Sequence, residues 1–159
     1  MSNKIWEFTG ETKIHLGTTL KRIRASVGFE LKCGVVIGKG ELGGWIEKES
    51  NLSGNAWVSG NAKVYGNAEV YGGALVYGNA EVSGGALVKS SEDYCVYKNT
   101  WSSFRWFTYT RSNKMWLVGC FYGTGAELVT KAYKDSEKSG KCYEAIVKAQ
   151  EAIEKAMEV

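Results

Sequence analysis

From Gly44 to Ser91 small and aliphatic residues return every six positions, separated by polar residues and glycine. Val58, Val64, Val70, Val76, Val82 and Val88 lie six apart, and Ala56, Ala62, Ala68, Ala74, Ala80 and Ala86 each precede one of them by two. Residues two apart on a strand point the same way, so each Ala-x-Val unit offers one inward face. Gly with Asn or Gly follows at the corners, where positive φ is best tolerated. A fixed short period marks a solenoid, whose units bury their apolar sides by stacking on neighbours. The register extends back through Leu52 and Ile46, with Ser50 and Gly44 at the small position.

The flanks follow other patterns. Ile5–Phe8, Leu20–Ala25 and Gly34–Ile37 read as strands of an N-terminal β cap over residues 1–43, which closes the open end of the repeat at 44–91. Residues 92–159 are expected to form a C-terminal α+β module, a β-hairpin plus two helices. Asp93–Tyr97, Arg105–Thr110 and Lys114–Gly119 read as strands, the last two joined by the polar turn Arg111-Ser112-Asn113. Thr124 with Glu127 forms a capping box for a helix beginning at Gly125. A break at Ser139-Gly140 precedes a final helix, with Tyr143, Ile146, Val147, Ala149, Ile153 and Met157 at helical spacing.

The 159 residues carry a net charge of +3, too little for a dedicated nucleic-acid binder and of the wrong sign for a DNA mimic. The start, MSNKIWEFTG, lacks an apolar signal core, and no run has the length of a membrane span, so a soluble intracellular protein is expected. Cys33, Cys95, Cys120 and Cys142 are widely spaced without CxxC pairs, the pattern of reduced, mostly buried thiols; no metal site or cofactor is expected.

The run Gly40-Glu41-Leu42-Gly43-Gly44-Trp45-Ile46-Glu47-Lys48-Glu49, leading into Asn-Ala-x-Val-Tyr-Gly hexads, resembles phage and prophage hexapeptide-repeat proteins of transferase-like or polymer-forming type. The tail from Trp101-Ser102-Ser103 through Thr110–Trp116 and Gly119–Thr124 resembles a phage module of unassigned function. The resemblance implies a mainly β protein with a short left-handed parallel β-helix, three hexads to a coil, assembled as a homotrimer in the host cytoplasm. Residues eighteen apart then share a face. The face of Trp57, Leu75 and Tyr77 is the most apolar and is the expected oligomer interface.

Many proteins of this architecture are acyltransferases that use a histidine of the coils as general base. Here the one histidine is His15, outside the repeat, so no catalytic residue is assigned. The segment 98–116 instead suits a phosphorylated, base-bearing ligand. Arg105, Arg111 and Lys114 can bond phosphate, Trp101, Trp106, Tyr109 and Trp116 offer stacking faces, and Ser102 and Ser103 add hydroxyl and backbone donors. Strand alternation separates Arg105, Phe107 and Tyr109 from Trp106, Thr108 and Thr110, so a pocket using all of these groups needs more than one subunit. The expected function is therefore a non-enzymatic, phage-encoded counter-defence protein that sequesters a small anionic nucleotide signal. The alternatives are a direct protein-binding inhibitor of a host defence complex, CRISPR-type or other, and a hexapeptide-repeat acyltransferase.

Overall fold

The fold is a computed structural model in which residues 4–158 are described. It is mainly β, with a helical C-terminal segment. β1 (Trp6–His15) and β2 (Thr18–Ala25) form an antiparallel hairpin, irregular between Phe8 and Thr12. A small hairpin of β3 (Phe29–Glu30) and β4 (Val36–Ile37) follows, and then β5 (Leu42–Ile46), which pairs antiparallel with β2.

The hexads give six two-residue strands: β6 (Trp57–Val58), β7 (Lys63–Val64), β8 (Glu69–Val70), β9 (Leu75–Val76), β10 (Glu81–Val82) and β11 (Leu87–Val88). They pair in parallel at an offset of eighteen residues: Trp57 with Leu75, Trp45 with Lys63 and Lys63 with Glu81, and Glu69 with Leu87. The described strands form five separate sheets, and none closes on itself. Every hexad valine from Val58 to Val88 is fully buried, and the alanines between Ala56 and Ala86 are at most 1% exposed. Glycines such as Gly60 (φ 61°) and Gly78 (φ 68°) take the left-handed conformation at the corners, which a Cβ would strain.

The first hexads depart from the expected register. Ser50 is exposed, and Asn51 is fully buried at the end of a single 3-10 turn, Glu49–Asn51. The Asn51 amide donates to the carbonyls of Ala68 (2.9 Å) and Gly66 (3.2 Å), while its own backbone N–H goes to Lys48. A side chain thus makes the bond that a strand N–H makes elsewhere, and the ladder resumes at Leu52, bridged to Val70.

The C-terminal module is an antiparallel sheet of β12 (Tyr94–Lys98), β13 (Trp106–Thr110), β14 (Met115–Val118) and β15 (Phe121–Thr124), followed by α1 (Gly125–Asp135) and α2 (Glu137–Met157). The turn at 111–114 and the Thr124–Glu127 capping box form as the sequence predicts. β15 is an addition to the expected strands: Gly119, at φ 58°, reverses the chain straight into it. The break expected at Ser139-Gly140 is not a break. Ser136 caps α2 through its hydroxyl, and Gly140 lies inside the helix against Tyr133, where a Cβ would be 2.2 Å from a ring atom.

Two apolar clusters result. One runs through the hexads into the N-terminal segment and includes Trp6, Ile23, Leu31 and Ile37; the other joins the C-terminal sheet to its helices around Phe107, Trp116, Leu128 and Tyr143.

Candidate functional site

The basic and aromatic residues of 98–116 do not converge within one chain. β13 alternates as expected: Phe107 and Tyr109 face the helices, while Thr108 reaches the Glu81 backbone N–H. Tyr109 and Trp116 are 4% and 2% exposed and pack on each other with ring centroids 4.8 Å apart. The Tyr109 hydroxyl donates to Glu154 Oε1 at 2.6 Å, and burial, followed by that carboxylate, raises its pKa. Half-buried Trp101 donates its indole N–H to Ser139 Oγ (3.2 Å) and meets Tyr143 edge-on.

The cations are dispersed. Arg105 and Ser103 are exposed before β13, while Arg111 follows its other end, on the order of 20 Å away along extended chain. Lys114 lies 3.4 Å from Glu154. Tyr109, Lys114 and Trp116 do line one cavity of about 360 Å³, but Glu151 and Glu154 line it as well. Two carboxylates against one ammonium make that cavity unfavourable for phosphate.

A different cleft holds the accessible aromatic surface. Tyr77, Asn79, Ser91, Tyr94, Val96 and Trp106 line about 370 Å³ where the C-terminal module meets the hexads. Tyr77 is 57% exposed and Trp106 46%. The floor is held in place: the Tyr94 hydroxyl donates to the Leu75 carbonyl (2.8 Å) and accepts from the Tyr77 N–H (3.3 Å), and Ser91 Oγ also donates to Leu75 (3.2 Å). Lys98 Nζ stands 5.4 Å from the centre of the Trp106 ring, bringing a cation to one wall. Alternation already separated Trp106 from the buried Tyr109. Its pairing with Tyr77 comes only from docking the module onto the last hexads, which no local pattern encodes.

Of the residues expected at an oligomer interface, Trp57 requires correction. It is fully buried within its own chain, with Phe29 packed edge-on at 5.6 Å, and its indole N–H has no partner. The β3–β4 hairpin covers the face that sequence spacing left open. Leu75 is half-buried, and Tyr77 is the exposed member of the set. The expectation of mostly buried thiols also needs correction, because Cys33 and Cys120 sit in turns and are exposed.

Comparison with known proteins found no matching family model, no matching curated protein and no matching solved structure. Among the described residues no group of three or more His, Cys, Asp or Glu side chains is placed to hold a metal. No helix of the described chain is long and apolar enough to cross a membrane.

Proposed function

We propose that this chain is a non-enzymatic binding protein of the phage hexapeptide-repeat kind, acting in the host cytoplasm against a nucleotide signal of host defence. In this reading residues 44–91 wind as a short left-handed parallel β-helix, and three chains assemble around it. The eighteen-residue offset of the parallel pairs and the recurring left-handed glycines support the winding. The observation that carries the binding function is the cleft between Tyr77 and Trp106. Two exposed rings offer stacking faces to a planar base, Asn79 offers an amide to its edge, and Lys98 offers charge to its phosphate.

The test is equilibrium dialysis against nucleoside monophosphates and cyclic dinucleotides, with Trp106→Ala beside the parent protein. Saturable binding lost in Trp106→Ala supports the reading, and no binding by the parent protein overturns it.

Phe104 favours a second reading, direct inhibition of a host defence protein. It is a bulky residue at φ 57° and 64% exposed, a strained and solvent-facing arrangement suited to insertion into a partner. Loss of counter-defence activity in Phe104→Ala, with Trp106→Ala unaffected, would support this alternative.

A further inference from the structure

Along β2, β5, β7 and β10, four residues stand in one cross-strand row. Arg22 of β2 pairs with Trp45 of β5, Trp45 with Lys63 of β7, and Lys63 with Glu81 of β10. Cross-strand partners share a face, so the four side chains project together. Lys13 of β1 leans over the row, with Nζ 4.2 Å from the centre of the Trp45 ring, and Arg22 Cζ stands 5.7 Å from the same ring.

The carboxylates nearby are already engaged. Glu81 meets His15 Nε2 at 3.2 Å, the Tyr65 hydroxyl at 3.3 Å and Lys63 Nζ at 3.6 Å; Glu11 lies 3.4 Å from Arg22. Lys13 forms no ion pair among the described residues, although it is half-buried. An ammonium has three donors, and the ring face satisfies none of them as a hydrogen-bond acceptor would.

We propose that Lys13, Arg22 and Lys63 form a phosphate-binding site at the rim of Trp45, distinct from the Tyr77–Trp106 cleft. Three basic side chains converge there on two carboxylates, Glu81 and Glu11, and a phosphate oxygen accepting from Lys13 supplies the counter-charge that the fold omits. Burial lowers the Lys13 pKa, and the charges of Lys63 and Arg22 lower it further, as crowded like charges do. Both rings that could take a base are elsewhere, and Trp45 is already covered by cations, so the ligand is recognised by its phosphate alone.

The test follows the Trp45 indole resonance by NMR during titration with orthophosphate, pyrophosphate and adenosine diphosphate, against sodium chloride at matched ionic strength. Saturable shifts of Trp45 with pyrophosphate, weakened about tenfold in Lys13→Met, support the site. Lys13→Arg, which keeps the charge, is expected to bind within a few-fold of the parent protein, and Lys98→Met to leave the Trp45 shifts unchanged. Adenosine diphosphate is expected to shift Trp45 no more strongly than pyrophosphate does; a response to the nucleotide alone contradicts recognition by phosphate. Shifts that chloride reproduces, or that survive in a folded Lys13→Met protein, overturn the proposal.

Discussion

Thr108 Oγ1 accepts a hydrogen bond from the Glu81 backbone N–H at 2.9 Å, so a threonine of the C-terminal sheet occupies the place of the next strand. The same substitution recurs along the last hexads. Tyr77 N–H goes to the Tyr94 hydroxyl, Leu87 N–H to Ser112 Oγ at 2.8 Å, and Lys89 N–H to Asp93 Oδ2 at 2.8 Å. In each earlier pair the N–H of one strand meets a carbonyl seventeen residues further on, as Lys63 N–H meets Ala80. The last strands lack such a successor, and an unpaired edge invites another chain. Side-chain oxygens of the module close it.

Thr108 is 1% exposed, so Thr108→Val strands a buried donor and is expected to cost about 1–3 kcal/mol. Ser112 is exposed and water can replace it, so Ser112→Ala is expected to cost less than about 0.5 kcal/mol. Urea denaturation of the two variants checks the difference. Equal costs would contradict the capping role of Thr108.

Gly43 is enclosed: an added Cβ would lie 2.7 Å from Ile23 Cγ1 and from the Val58 carbonyl, and 2.8 Å from Trp57. Gly43→Ala is expected to destabilise by about 1–3 kcal/mol, since backbone must move. At Gly85 nothing lies within 4 Å and φ is not positive, so Gly85→Ala is expected to be neutral or stabilising by up to about 1 kcal/mol. Thermal melts of both proteins make the comparison.

Burial pushes the Tyr94 hydroxyl up to about 12. The folded state then holds a proton that the unfolded chain gives up near pH 10, so this contribution is complete below about pH 10 and is lost as pH rises towards 12. The urea midpoint is expected to fall between pH 9.5 and 11.5 (roughly the window set by these values), and less steeply in Tyr94→Phe. The same slope in both proteins would show that Tyr94 does not contribute to it.

The proposed three-chain assembly predicts a single species of three subunits in native mass spectrometry. Trp57→Phe is expected to leave that mass unchanged, because Trp57 lies under Phe29 rather than against another chain. Loss of the assembly in a folded Trp57→Phe protein would return this residue to the interface.

Much of the fold was legible because its signals are local. The Ala-x-Val period marks the inward side chains and leads directly to pairs such as Lys63–Glu81, and the Thr124–Glu127 box marks the start of α1. Asn51 escaped because a buried amide replacing a strand N–H leaves the same polar signature as a corner residue. Trp57 was misplaced because its cover, Phe29, comes from a segment with no periodicity of its own. The site was less legible than the fold. Tyr109 and Trp116 have the composition of a stacking platform, but α2 covers them with Val147 and Glu154. Tyr77 and Trp106 lie in different modules, and only their docking makes a cleft.

The most direct test of the binding account follows all six indole N–H resonances by NMR while the protein is titrated with cyclic dinucleotides and nucleoside monophosphates. Trp106 is expected to shift saturably, while Trp57 and Trp116, at 0% and 2% exposed, stay in place. A saturable response at Trp116 with Trp106 unmoved would contradict the account and put the ligand in the cavity beside Glu154.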